Sequence, residues 1–232
     1  MTPQPDVRSE TASFTPQLGD LYFQELGEFE ATRQPPASSQ LGRGNRVVEH
    51  AAIFVPNTDG LPGVVEAYPP RVRWTPLQAF LARHLDRKRR PSVFVARIRA
   101  ESRQLIPAAT EFATSRIGRP FDEWYDEGDD AYYCSELIVA AFEQANAGVA
   151  FFTTAPMSFA ETARSSPSAS WERHFARLGR PVPLGRPGSN PGSLSRSPHL
   201  QIVHAYGQLH AMRQTHGSEP TLHAALATKG RR

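Results

Sequence analysis

Two apolar runs flanking a turn in the first third of the chain commit it to an antiparallel sheet. Val47 to Val55 reads as one strand, and Pro56-Asn57-Thr58-Asp59-Gly60 has the residues of a hairpin loop. Val64 to Tyr68 reads as the returning strand, and Val72 to Thr75 as a short third. Strand side chains alternate between faces, so His50 in Glu49-His50-Ala51-Ala52-Ile53-Phe54-Val55 shares its face with Ala52 and Phe54, while Glu49 points the other way. With Pro56–Gly60 as the loop, Val55 faces Leu61, and this register sets His50 directly opposite Glu66. Their Cβ atoms are then about 5 Å apart. A slip of two residues keeps both on one face, whereas a slip of one separates them.

The second constraint is Tyr132-Tyr133-Cys134-Ser135-Glu136-Leu137, which carries the only cysteine of the chain. From Cys134 the apolar residues fall at Leu137, Ile138, Ala141, Phe142 and Ala145, the spacing of a helix with one buried face. Cys134 opens that face in the first turn, with Gly148 as the stop. A helix start favours the thiolate through its exposed N–H groups and the positive end of the dipole. The structural alternative is a small buried hydrophobe, the commonest role of a lone cysteine.

Elsewhere, Gly19-Asp20-Leu21-Tyr22-Phe23-Gln24 reads as a turn into a strand, with Asp20 as a turn or capping residue. Pro76 opens a helix through His84, Ser92 to Arg99 alternates as a strand, and Pro107 to Ile117 is helical. A short helix is expected at Ser158–Arg164 and a final apolar segment at His199–His210. The domains expected are a flexible leader over 1–17, one domain over 18–205 with an extended Pro/Gly/Ser-rich wrap at 181–198, and a disordered basic tail over 212–232. The fold class is α+β, a small antiparallel β-sheet or barrel packed against helices.

Charge is uneven along the chain. Up to residue 163 there are 16 Lys+Arg against 21 Asp+Glu, and from Arg164 onward 10 against 2, adding to the 26 and 23 of the whole. The arginines of the basic third are not interleaved with aromatics as a stacking platform requires, so a solvated wrap is preferred to nucleic-acid binding. Leu85–Arg90 reads as a solvated basic helix end. One cysteine excludes an internal disulfide and a cysteine-based zinc cluster. The C-terminal histidines lack metal spacing, so neither metal nor cofactor is expected. No apolar run is long enough to span a bilayer and the first residues are polar, which reads as cytoplasmic.

Cys134, His50 and Glu66 form a coherent set. The carboxylate orients the imidazole, the imidazole takes the thiol proton, and the Cys134 N–H serves as an oxyanion donor. The competing reading is an ordinary cross-strand polar pair or a satisfied core histidine. The order of Gly19-Asp20-Leu21, His50 in its strand, Val65-Glu66-Ala67, and Tyr133-Cys134-Ser135-Glu136-Leu137 resembles the YaeF/YiiX family. These are permuted papain-like amidases related to the NlpC-type cell-wall peptidases. The likeness runs from about Gly19 to Ala147, and the Gly188-Ser189-Asn190-Pro191-Gly192 stretch resembles the family's closing segment.

The resemblance implies a thiol hydrolase of amide bonds acting through a thioester acyl-enzyme, with Cys134 as nucleophile, His50 as base and Glu66 as third group. The expected substrate is small and peptide-like, amino-acyl or acyl-lipid. The alternatives are a lipid acyl hydrolase or acyltransferase with the same triad, or a catalytically silent binding module. Tyr133 and Gln24 are candidates to line the site or its oxyanion hole, against packing at the helix start and an exposed strand position respectively. The acidic run Asp122–Asp130 reads as a solvated loop, or as an attractor for a cationic substrate group.

Overall fold

The computed structural model describes residues 14–25, 40–41, 47–85, 89–126, 130–159 and 167–207. The expected leader, the Glu25–Arg46 loop, the Ser158–Arg164 helix and the 212–232 tail lie largely or wholly outside these residues. In chain order the strands are β1 (Leu21–Gln24), β2 (Gln40–Leu41), β3 (Val47–Val48), β4 (His50–Phe54), β5 (Gly63–Tyr68), β6 (Arg71–Pro76), β7 (Val93–Ile98), β8 (Ala155–Pro156), β9 (Pro187–Gly188) and β10 (Leu200–Tyr206). The α-helices are α1 (Leu77–Ala82), α2 (Ile106–Ser115), α3 (Cys134–Ala145), α4 (Ala169–Arg177) and α5 (Pro191–Ser195). A 3-10 helix, Ala100–Leu105, leads into α2. Six strands form one antiparallel sheet in the order β10-β7-β1-β4-β5-β6, and the fold is α+β.

Alternation along the strands makes two cores. Leu21, Phe23, Ala51, Ile53, Val65, Ala67, Phe94 and Ala96 face α2 and α3, meeting Ala109, Ala113, Leu137, Ile138, Ala141 and Phe142. On the other face Tyr22, Ala52, Phe54, Val64, Val93 and Val95 meet Leu77, Phe80 and Leu81 of α1 and Tyr206 of β10. The helix periodicity read from Cys134 is therefore the face α3 lays on the sheet. Gly19 has φ +79, and a Cβ there would come within 2.5 Å of Ile106 Cγ2. Only glycine passes under the start of α2 at this turn.

Three sequence expectations are corrected. The hairpin register is two residues off, because Ile53 pairs with Val65 and Phe54 with Val64. The reason lies in the loop, where Asn57 Oδ1 accepts from the N–H groups of Asp59 and Leu61 and the Asn57 N–H bonds the Leu61 carbonyl. This Asx-type closure draws Leu61 into the turn, and the ladder resumes only at Val55 N–H to Gly63 O. Second, the strand expected over Val47–Val55 breaks at Glu49, whose N–H bonds Gln24 O, and Val47–Val48 pairs with β2 in a separate ribbon. Third, the 181–198 wrap contains β9 and α5, the latter capped by Asn190 Oδ1 accepting from Ser193 N–H at 2.8 Å. Within the expected His199–His210 segment, Leu200–Tyr206 form β10, an edge strand of the main sheet, and 208–210 lie outside the described residues.

Candidate active site

The helix carrying Cys134 lies on one face of the sheet, whereas alternation puts His50 and Glu66 on the other. They meet because the sheet opens between them. The ladder of β4 with β5 pairs Ile53 with Val65 and Phe54 with Val64. Continued regularly, it would send the Ala51 N–H to β5, as Val55 N–H goes to Gly63 O. Instead the Ala51 N–H is directed at the Cys134 sulfur, which also receives the N–H groups of Ser135 and of Cys134 itself. Since Ala51 follows His50 in the chain, this sets the sulfur beside the strand position next to the histidine.

Local structure holds the helix start. Tyr133, the N-cap residue, donates its N–H to Glu136 Oε2 at 3.1 Å, one half of a capping box. The Tyr133 hydroxyl accepts from Ser189 N–H at 3.0 Å, and Ser189 Oγ donates to Ser135 Oγ at 3.0 Å. The closing segment of the chain therefore clasps the first turn of α3.

His50 Nε2 lies 2.6 Å from Glu66 Oε2, with the two side chains 2% and 0% exposed. This bond leaves Nδ1 as the free ring nitrogen. The two-residue shift in register makes the contact diagonal across the strands rather than direct, and both groups stay on one face. Glu66 Oε1 accepts from Thr75 Oγ1 at 2.7 Å and Arg73 Nε at 3.2 Å. Arg83 forks across both oxygens, with Nη1 to Oε2 at 2.8 Å and Nη2 to Oε1 at 2.5 Å. The Tyr68 ring stands edge-on to His50 at 5.6 Å, with the guanidiniums of Arg73 and Arg83 over it at 4.3 and 4.1 Å.

Electrostatics sets the resting protonation. Burial pushes the Cys134 thiol up to about 11, and the Glu66 charge pushes the same way, against the three backbone N–H groups that favour the thiolate. The helix start alone predicts the opposite direction. Enclosure of the sulfur wins here, although the side chain as a whole is only half-buried. Burial likewise lowers His50 below its ordinary value, opposed by the bond and charge of Glu66 and helped by the charges of Arg83 and Arg73. Burial favours a neutral Glu66, but hydrogen bonds from His50 and Arg83 overcome it and hold the carboxyl well below the usual range. At neutral pH these directions describe a thiol, a neutral imidazole and a carboxylate.

The other predicted residues fall as follows. Gln24 is not an exposed strand residue: it is the cross-strand partner of His50, fully buried, and its Nε2 donates to Phe80 O at 3.0 Å. Tyr133 is buried against Tyr125 at 4.7 Å, in a cluster with Phe159, Trp171 and Phe175. Asp20 joins a turn, through Gln17 N–H, to an ion pair with Arg97 at 2.7 and 2.8 Å. Buried Asp122 accepts from the N–H groups of Trp124 and Asp126, so this acidic residue organises its own loop. His174 is buried and its Nε2 bonds Glu123 O at 2.8 Å.

Sequence reasoning missed Thr75, Arg73, Arg83, Ser189 and the Ala51 N–H. Alternation in Arg71-Val72-Arg73-Trp74-Thr75 would have put Arg73 and Thr75 on the Glu66 face. Arg83 had no such signal, since an arginine after a short helix reads as solvated. Tyr125 was also missed; burial raises its hydroxyl well above the ordinary value, and Cys134 is the next contributor.

An antiparallel sheet opened by the start of a cysteine-bearing helix, with a histidine on the adjoining strand, is the arrangement of papain-like cysteine hydrolases. The chain belongs to the family described as permuted papain-like amidase enzymes, YaeF/YiiX, C92 family, whose model matches residues 15–204. This is a family of cysteine peptidases and amidases. The structure is similar to that of the metalloprotein yiiX from Escherichia coli O157:H7, with a TM-score of 0.61. Sequence identity is 24% over 83% of this chain and 98% of that one, a likeness of fold. Comparison with curated proteins gives no match.

That neighbour is described as a metalloprotein, and the donor set in this chain differs from a metal site. Among the described residues, no three His, Cys, Asp or Glu side chains gather as ligands for a metal ion. Glu66 already takes donors from His50, Arg73, Thr75 and Arg83, which does not fit a resident metal. No helix among the described residues is long and apolar enough to cross a membrane.

Proposed function

We propose that the chain hydrolyses an amide bond, peptide-like or N-acyl, through a thioester on Cys134, with His50 as base and Glu66 as the group that orients it. The observation that carries this reading is the opening between β4 and β5, which aims the Ala51 N–H at the Cys134 sulfur one residue from a histidine bonded to a buried carboxylate. The Nε2 bond to Glu66 fixes the tautomer that leaves Nδ1 unprotonated, ready to accept.

As sulfur attacks the carbonyl carbon, the thiol proton passes to His50 Nδ1 and the carbonyl oxygen takes the negative charge. The N–H groups at the start of α3 stabilise that oxyanion. The imidazolium then protonates the leaving amine nitrogen, the C–N bond breaks, and the thioester remains. Water attacks the thioester with its proton going to His50, the C–S bond breaks, and the acid leaves as the thiol is restored. Because the resting pair is neutral, the thiolate forms during attack rather than before it.

The test uses matched chromogenic amide and ester substrates of short acyl groups, with mass spectrometry of the protein during turnover. The reading expects amide cleavage, a hydroxylamine-labile acyl adduct on Cys134, and a loss of about a thousandfold or more in Cys134→Ala with the fold intact. Undiminished turnover in Cys134→Ala sinks it. Turnover confined to esters transfers the site to lipid-type acyl hydrolysis. A folded protein that cleaves neither class and forms no adduct is the silent binding module.

A further inference from the structure

Resting on that reading, we propose that Arg83 is a positioning residue for the reaction: its fork across both oxygens of Glu66 holds the carboxylate in the orientation that presents Oε2 to His50, and so aims the ring at Cys134. Arg73 is a weaker candidate. It reaches one oxygen through Nε at 3.2 Å and is 37% exposed, whereas Arg83 takes both oxygens at 2.8 and 2.5 Å and is 11% exposed. A planar fork matched to a carboxylate fixes rotation about the carboxyl group, which a single donor leaves free.

The grip is itself anchored. Arg83 directly follows α1, which buries Leu77, Phe80 and Leu81 against the sheet. Gln24, the strand neighbour of His50, ties α1 down through its bond to Phe80 O. The Arg83 guanidinium also lies over the Tyr68 and Phe80 rings, at 4.1 and 5.3 Å. Arg83 therefore reaches Glu66 from a packed helix end. Among the described residues, the charged and titratable groups that act on or touch His50 are Glu66 and Tyr68 on β5, Arg73 on β6 and Arg83 after α1, and Glu66 also acts on Cys134 of α3. Burial chiefly keeps the imidazole neutral, and the charges of Arg83 and Arg73, which share the one carboxylate, push the same way.

The experiment compares the full chain with Arg83→Lys, Arg83→Gln and His50→Ala, using two readouts that need no substrate. The single cysteine lets iodoacetamide alkylation at pH 7 report Cys134 alone. Imidazole nitrogen NMR, assigned by the signal lost in His50→Ala, reports the tautomer and titration of His50. Arg83→Gln removes a cation and the fork together. The expected result is a His50 titration about half a unit or more higher, mixed tautomers and alkylation slowed about threefold or more. Arg83→Lys keeps the charge but supplies one nitrogen for two oxygens, so titration stays within about 0.2 units while alkylation still slows.

Alkylation at the parent rate in Arg83→Lys overturns the proposal. So does an Arg83→Gln protein whose His50 tautomer and titration match the parent. Should Arg83→Gln fail to fold, the lysine variant decides alone. Unchanged alkylation in His50→Ala instead breaks the triad reading itself, and the two failures are thereby told apart.

Discussion

Two buried carboxylates stand on the same face of the sheet, each gripped by an arginine, and they do different things. Asp20, at the turn into β1, gives both oxygens to the Arg97 fork and to the Gln17 N–H. Each of its partners is structural and permanently protonated. Glu66, on β5, meets a comparable fork from Arg83, but it also bonds an imidazole, a group able to gain and lose a proton. A buried ion pair is by itself weak evidence for function. What distinguishes Glu66 is that one oxygen holds a group able to change charge, beside the gap where the sulfur sits.

The sharpest way to break this contrast is Glu66→Gln. The amide keeps the shape but loses the charge that orients and balances His50, so turnover of the amide substrate falls about a hundredfold. Retention of more than half the parent rate removes Glu66 from the reaction. Asp20→Asn is the matching change at the other carboxylate. It leaves Arg97 without a counter-charge and lowers stability by about 2–3 kcal/mol, read as a melting temperature about 5–10 °C lower, with turnover within twofold of the parent. A large loss of turnover without a loss of stability would erase the distinction.

A smaller effect is expected of Tyr133→Phe. Ser189 N–H then loses its acceptor, and stability falls by about 1 kcal/mol in denaturant titration while turnover changes little. Most of the activity lost without a change in stability would instead return Tyr133 to the list of groups that touch substrate.

The pH dependence of stability sharpens the picture of the pair. His50 and Glu66 are both lowered from ordinary values of 6.5 and 4.5, so the unfolded chain binds their protons first and stability declines as pH falls below about 6.5 and again below about 4.5. Cys134 is raised from 9.0 to about 11, so its contribution is fully present below 9 and is lost as pH rises through 11. Melting temperature should therefore be flat between about pH 6.5 and 9 and fall on both sides. A thiol that titrates below 7 in the folded protein contradicts the neutral resting pair.

The elements of the site were legible from local pattern. Period-two alternation placed His50 with Ala52 and Phe54, and period-3.6 spacing placed Cys134 at the start of a helix with one buried face. Both are properties of short segments, set by backbone geometry alone. The register was read two residues off because Asn57 closes its own turn with Leu61, and the pairing of His50 with Glu66 survived only because the error was an even number. Arg83 stayed invisible, and Ser189 stood out only within the stretch that resembles the family's closing segment, with no role attached to it. Each reaches the site from an element whose place depends on packing, α1 against the second core and the closing segment against α3.

Local pattern was enough to establish an α+β chain, the face on which His50 and Glu66 lie together, and a cysteine at a helix start. Tertiary structure decided how those parts meet. Helix and histidine occupy opposite faces of one sheet, and only the parting of β4 from β5 beyond Ile53 lets the sulfur take the Ala51 N–H. Tertiary structure also reversed the thiol's direction. The helix start favours the thiolate over a few ångströms of chain, but the desolvation that opposes it comes from everything packed around the sulfur.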